Sequence, residues 1–393
     1  MSIPSKIKSD VAEIKQQLIQ IRRHLHQYPE LSFEEKNTSQ FIQNQLTEWG
    51  IPFETGYVKT GVLVKLDSGN SEKRLALRAD MDALPILEAN DCAYKSKHEG
   101  VMHACGHDAH STSLLGALYI LNKNKDLWSG KIRAVFQPGE EVLPGGAKLM
   151  LEEGVFDIKP EAIFGQHVFP DLEAGQLGFR AGQYMASTDE IHLTIIGQGG
   201  HAALPHKLID PVVITAELIS NLQQVVSRKV SPYVPSVLSF GYLSADGASN
   251  VIPNEVKLIG TFRCMDETWR KKAHDVIRST CEHICKAHGA SCELDIRVGY
   301  PSLTNDENLA QFAKSKAIEF VGADQVVDLE LRMTAEDFAY YTQVMPGCFY
   351  RFGTAEKGQA GQKKLHHPKF DIDEDALETS TGFMAYLALS YLA

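Results

Sequence analysis

Apolar residues recur along the N-terminal stretch at Val11, Ile14, Leu18, Ile21 and Leu25, steps of three and four that place them on one helix face. Pro29 closes that pattern, because its ring and missing N–H cannot continue a helix. Ser32 and Glu35 stand at capping-box spacing, which predicts a second helix running to Gly50. Short apolar runs then alternate with helical stretches. The segments 61–68 (GVLVKLDS), 74–82 (RLALRADMD), 132–138 (IRAVFQP) and 162–168 (AIFGQHV) read as strands, and 111–123 and 145–151 as helices. Such alternation predicts a largely buried sheet with helices on both faces.

The centre of the chain has a different rhythm. A strand at 190–199 (EIHLTIIGQG) leads to a helix over 210–228, strands at 236–244 (SVLSFGYLS) and 255–264 (EVKLIGTFRC), a helix over 267–288, and a strand at 292–298 (CELDIRV). Strand-helix-strand-strand-helix-strand is the order of the split βαβ unit. Alternating helix and strand resume after Tyr300 and Pro301. The predicted fold class is therefore α/β. A discontinuous domain (1–183 and 299–393) with a mixed sheet carries an inserted ferredoxin-like domain at 184–298.

Composition narrows the field. The 393 residues hold 39 Lys+Arg against 50 Asp+Glu, a formal net charge of −11. No surplus of positive charge exists to draw in nucleic acid or an anionic membrane. No run of about 18 apolar residues could span a bilayer, and the first fifteen residues contain no apolar signal core. Seven cysteines, an odd and scattered set, predict reduced thiols and a cytoplasmic location.

Four stretches carry metal-binding side chains. The densest is His103-Ala-Cys105-Gly-His107-Asp108-Ala-His110, between a polar loop and a helix start. Thiolate and imidazole separated by one glycine suit Zn, Ni, Co or a similar ion. Pro138-Gly139-Glu140-Glu141 directly follows a strand, where α/β sheets place their ligand sites. Gly165-Gln166-His167 ends another apolar strand, and His366-His367-Pro368 lies near the C-terminus. One cation takes about four such donors, and a pair of cations sharing one donor takes more. No Gly-x-Ser-x-Gly elbow or phosphate loop is present.

These stretches, with LRADMDALP (Asp80, Asp82), GGHAALPH, ASNVIP and MTAEDF, occur in the order found in the metal-dependent amidohydrolases. From RRHLHQYPELSFEE onward nearly the whole chain resembles that family of aminoacylases, hippurate hydrolases, auxin-conjugate hydrolases and N-acetyl-diaminopimelate deacetylases. The resemblance implies two divalent metal ions (Zn, Mn, Ni or Co), with Cys105 as a bridging thiolate and His107, Glu141, His167 and His366 completing the coordination. His366 rather than His367 fits the family's L-H-x-P pattern. Glu140, directly before the ligand Glu141, becomes the general base, and Asp82 an orienting partner for a ligand imidazole. Asp80 is left without a role. From the insert, His201 would donate to the developing oxyanion, while Asn250 and Arg263 would hold a substrate carboxylate. In dimeric relatives a histidine of the inserted domain reaches the neighbouring subunit's site. The insert would then be both lid and dimerisation domain of a homodimer or homotetramer.

The implied reaction is hydrolysis of the amide bond of an N-acyl amino acid bearing an N-acetyl or aromatic acyl group. A dipeptidase or carboxypeptidase using the same site is the first alternative, and a metal-free binding protein the second. Other residues read as structural. Cys281, Cys285, His288 and Cys292 look like a second metal cluster, but 281, 285 and 288 share a helix face, where cysteine packs as a small hydrophobe. His24, His26, His274 and His283 lie among helix charges and read as solvated. Glu336-Asp337-Phe338 reads as a helix N-terminal carboxylate, with support of the site from behind as its other role.

Overall fold

The computed structural model describes residues 2–393, and the chain divides into two compact units. One comprises Met1–Gly182, Thr304–Glu330 and Asp337–Ala393, the other Gln183–Leu303 and Leu331–Glu336. The second unit thus takes up 331–336 as well as the insert. Periodicity does not mark that segment, because it forms no helix or strand of its own.

The first unit opens with α1 (Ile3–Gln27), α2 (Lys36–Glu48), β1 (Phe53–Tyr57), β2 (Gly61–Ser68), β3 (Arg74–Asp80), α3 (His107–Lys123), β4 (Gly130–Gln137), α4 (Gly146–Glu152), β5 (Ala162–Glu173) and β6 (Leu177–Phe179). The second unit holds β7 (Asp189–Ile196), α5 (Pro211–Gln224), β8 (Ser236–Ser244), β9 (Glu255–Cys264), α6 (Glu267–Ala287) and β10 (Ser291–Val298). The chain then returns to the first unit with α7 (Glu307–Val321), β11 (Val326–Asp328), α8 (Ala339–Val344), β12 (Gly347–Ala355) and α9 (Ala376–Leu392).

In the first unit the strand order is β1-β2-β4-β3-β5-β12-β6-β11. β3 runs parallel to β4 and β5, β12 runs parallel to β5, and β2 is antiparallel to β4, so the sheet is mixed. The period of two sorts its faces. Val62, Val64, Leu66, Ile132, Ala134 and Phe136 join the main core, whereas Leu63 and Val135 pack with Met150 of α4 in a separate cluster. The α1 stripe from Val11 to Leu25 is buried as its spacing predicts. α9 is apolar around most of its circumference, and α3, polar in its first two turns and largely apolar beyond, is buried along nearly its whole length.

The second helix begins at Lys36, but not through the expected capping box. Glu35 makes no cap hydrogen bond, and the Ser32 hydroxyl donates to Asp82 Oδ2 at 2.6 Å. Both side chains turn inward to partners on distant segments, which outcompete the local cap. In the second unit the order is β8-β9-β7-β10, antiparallel throughout, with α5 and α6 sharing its apolar core. This is the split βαβ arrangement. Cys281 and Cys285 are buried in that core. Among the described residues, no helix is long and apolar enough to cross a membrane.

Candidate metal centre

Parallel pairing sets Asp80 of β3 opposite Gln137 of β4, and Arg78 opposite Gly165 of β5. Asp80, the loop following Gln137, and His167 therefore reach the same level of the sheet, where strand ends present ligands. The segment 103–107 crosses this level into α3. Gly106 turns it at φ 81°, a left-handed conformation, and a Cβ there would meet the Val168 side chain at 2.6 Å.

The predicted donors converge. His167 Nε2 is 3.5 Å from Cys105 Sγ, and His366 Nε2 is 3.3 Å from the same sulfur. Glu141 Oε1 lies 3.3 Å from His366 Nε2 and 3.9 Å from His107 Nε2. Ligand atoms of Cys105, His107 and His167 lie within 4.8 Å of one another, as do those of Cys105, Glu141 and His366 and those of His107, Glu140 and Glu141. Cys105 is common to two of these groups, as a bridging sulfur would be. His367 turns elsewhere, its Nδ1 accepting from the Lys369 N–H.

Each buried imidazole is aimed by its other nitrogen. His107 Nδ1 bonds Asp82 Oδ1 at 3.1 Å, and His167 Nδ1 donates to the Val168 carbonyl at 2.8 Å, so both Nε2 atoms face the cluster. Asp82 Oδ2 also accepts the Glu141 N–H at 2.9 Å. One carboxylate thus fixes the His107 ring and the Glu141 backbone. His366 adopts φ 58°, and its N–H donates to the Ala104 carbonyl at 2.8 Å, tying its exposed ring to the Cys105 loop.

The cluster fits a cation. His107 Nε2 and Glu141 Oε1 are buried and make no hydrogen bond among the described residues, a costly state for polar atoms. Burial would lower the His107 pKa, but Asp80, Asp82 and Glu141 override it and push it up to about 10. Burial, reinforced by Glu141, Glu140 and Asp80, drives the Cys105 thiol well above its ordinary value. An environment that holds protons this firmly accepts divalent cations in their place, because metal binding displaces ligand protons. Thiolate, imidazole and carboxylate donors together suit Zn, Mn, Co or Ni.

Behind the donors lies a second layer, for which the sequence offered Asp337 only as a second role and Asp80 and His110 none. Asp80 accepts from Arg78 Nη1 and His110 Nδ1, each at 2.6 Å, and His110 Nε2 accepts the Val168 N–H at 2.8 Å. Burial would raise the Asp80 carboxyl, but Arg78, His107 and His110 hold it well below the usual range. Asp337 takes Arg78 Nη2 at 2.6 Å, Gln137 Nε2 at 2.7 Å and the Ala147 N–H at the start of α4 at 2.9 Å. Its backbone N–H donates to Glu140 Oε1 at 3.3 Å. His110, three residues from His107 on α3, was the available signal, since that spacing puts both on one face.

Two histidines read as solvated are not. His26 is fully buried, bonded to Asp108 Oδ2 at 2.7 Å and Glu88 Oε1 at 3.2 Å. His274 lies half-buried against Asp189 at 2.7 Å. Both sit at the margin of an apolar stripe, where period alone cannot say which side of the boundary a side chain falls. His24 and His283 are exposed.

In the second unit His201 and Asn250 are neighbours. His201 pairs with Val251, and the Ala202 N–H donates to the Asn250 carbonyl at 3.0 Å. Both side chains are exposed. Arg263 stands apart from them. β9 begins at Glu255 opposite Ile196 and passes Phe262 opposite Asp189 before Arg263, about 25 Å along the strand. One chain therefore does not bring Asn250 and Arg263 to a common carboxylate, because an entire strand separates them.

The profile of peptidase family M20/M25/M40 matches residues 76–390. The chain is 40% identical to the N-acetyl-L-cysteine deacetylase of Bacillus subtilis (strain 168) over 375 residues, 95% of this chain and 88% of the relative. It is 38% identical to thermostable carboxypeptidase 1 of Saccharolobus solfataricus over 394 residues, 100% of this chain and 99% of the relative. Among solved structures, the Bacillus subtilis YxeP protein, a dinuclear metal binding peptidase from the M20 family, aligns with a TM-score of 0.84 at 34% identity. That alignment covers 97% of this chain and 99% of the other.

Proposed function

The chain belongs to peptidase family M20/M25/M40, and from that premise we propose that it is a two-metal amidohydrolase removing the acyl group from N-acyl amino acids. One observation carries the reading: Cys105, His107, Glu141, His167 and His366 converge, with Glu140 beside them, and two of their buried ligand atoms make no hydrogen bond among the described residues. Those five side chains would hold the ions. Bound there, two divalent cations supply Lewis acidity and bring the pKa of a coordinated water towards neutrality.

Glu140 acts as the general base. Its carboxylate, only 7% exposed, takes a proton from the attacking water and returns it to the departing amine nitrogen. The Asp337 N–H on Oε1 steadies it for both transfers. His201 donates to the oxygen that gains charge as the amide carbon is attacked, and Asn250 and Arg263 take the substrate's carboxylate. Since Asn250 precedes the first residue of β9 and Arg263 lies at its far end, a substrate touched by both draws on two copies of the chain. This favours a homodimer or homotetramer joined through the second unit. Seven free cysteines accord with a reducing, cytoplasmic setting.

Cleavage of a peptide bond by the same groups is the second reading, favoured by the likeness to a carboxypeptidase. The test loads the metal-free protein with Zn, Mn, Co or Ni and offers N-acetyl amino acids, N-benzoyl amino acids and dipeptides, beside Glu140→Gln. The expected result is metal-dependent amine release from an N-acyl amino acid, reduced about 10²–10⁴-fold in the variant. Faster dipeptide turnover would replace the deacylase reading, and activity retained by Glu140→Gln would remove Glu140 as the base.

A further inference from the structure

Glu140 needs a fixed backbone if its carboxylate is to meet a proton at the right place, and the loop that carries it is pinned at both ends. On the ligand side, the Glu141 N–H is held by Asp82 Oδ2 at 2.9 Å. On the other side, the Gly139 N–H donates to Glu35 Oε1 at 2.8 Å, across a sequence separation of 104 residues. Gly139 sits at φ 61°, and a Cβ there would collide with the Phe33 ring.

Glu35 is built into this position at some cost. It is fully buried, Oε1 also accepting the Phe33 N–H at 2.8 Å and Oε2 the Thr60 hydroxyl at 2.9 Å. All three donors are neutral, and the charged side chain acting on it most strongly is Asp82, which repels it. Phe33 itself takes φ 66°, a left-handed backbone that an aromatic residue adopts only under constraint. A buried carboxylate without a counter-ion, next to a strained residue, is a poor source of stability. Its geometry serves the neighbouring loop.

Building on the assignment of Glu140 as base, we infer that Glu35 is a positioning residue for it, fixing the Gly139 end of the loop while Asp82 fixes the Glu141 end. The two anchors then have separable effects. Loss of the Glu35 anchor misplaces the base and leaves the metal ligands in place, whereas loss of the Asp82 anchor loosens His107 and Glu141 together.

The experiment compares Glu35→Ala, Glu35→Asp, Glu35→Gln, Asp82→Ala and Glu140→Gln for kcat, KM and, by competition titration, Zn affinity and stoichiometry. Glu35→Ala is expected to lower kcat about 10–100-fold, with KM and Zn affinity within about threefold of wild type. Asp82→Ala is expected to weaken Zn binding about 10–100-fold. Glu35→Gln keeps the side-chain length and the acceptor for Gly139, so it should stay within about threefold of wild type, whereas Glu35→Asp keeps the charge but falls short and should resemble alanine. This pair decides the matter even if alanine fails to fold. An aspartate variant as active as the glutamine variant would overturn the inference, and so would a loss of Zn in Glu35→Ala equal to that in Asp82→Ala. A wild-type rate in Glu35→Ala with an inactive Glu140→Gln would overturn this inference alone, whereas an active Glu140→Gln would overturn the base on which it rests.

Discussion

His107 and Asp108 are adjacent in the chain and both fully buried, yet they belong to ionic clusters of opposite construction. Asp108 Oδ2 accepts from Arg22 Nε at 2.9 Å and from His26, and Arg22 continues to Asp371, which also takes the Tyr94 hydroxyl. Burial alone would raise the Asp108 carboxyl, but Arg22 and His26 hold it far below the usual range. That cluster contains its own cation. Around His107 the carboxylates are Asp80, Asp82 and Glu141, and the nearby Arg78 is engaged by Asp80 and Asp337. There, two buried atoms remain unbonded. In this cluster the carboxylates outnumber the one arginine, which Asp337 shares, and that imbalance is costly until a cation arrives from outside. The difference between the two neighbours is thus the difference between a structural network and a ligand site.

The sharpest way to break this comparison is Arg22→Met, which leaves Asp108 buried and uncompensated. It should destabilise the protein by about 3–5 kcal/mol in denaturant titration. Stability equal to wild type would mean that the Asp108 cluster does not depend on its cation. The converse lies at His107. Saturating metal should stabilise wild type by about 3–4 kcal/mol over the chelated protein, at roughly 100–1,000 times the dissociation constant. In His107→Ala that increment should largely vanish. An equal gain in the variant would place the stabilising metal elsewhere.

Glu35 extends the comparison to pH. Burial, then repulsion from Asp82, raises its carboxyl to about 7, above its value in the unfolded chain. The folded state binds the proton more tightly, so this group's contribution is fully present below about pH 4.5 and is lost as pH rises through about 7. Glu35→Gln removes that loss and should gain on wild type by up to roughly 3 kcal/mol between pH 4.5 and 8, read from unfolding midpoints at several pH values. A constant difference across that range would show that Glu35 is not an uncompensated buried acid. The smallest effect sharpens the role of burial. Lys15 pairs with Asp375 at 2.8 Å and Glu378 at 2.7 Å on the surface, and Lys15→Met should cost less than about 1 kcal/mol in the same unfolding assay.

Much of this architecture was legible before any coordinates. The α1 stripe, the strands that order the larger sheet, and the strand-helix-strand-strand-helix-strand insert follow from periods of 3.6 and 2. The four donor-bearing stretches were legible because sulfur, imidazole and paired carboxylates are rare chemistry at strand ends, and the structure brings their side chains close together. What escaped were residues whose local pattern had a sufficient bland explanation. Glu35 has capping-box spacing, Asp337 precedes a helix, and His26 borders a basic helix end, yet all three are buried acceptors or donors for distant segments.

By itself the sequence determined which segments become helices and strands and which side chains are able to bind metal, because hydrophobic period and donor chemistry are properties of neighbouring residues. Only the tertiary structure decided which buried charges are neutralised within the protein and which are left for a cation. Arg22 meets Asp108 across 86 residues, and Arg78 meets Asp337 across 259. The strength of those pairings depends on burial and counter-charge at the meeting point, which no local pattern encodes.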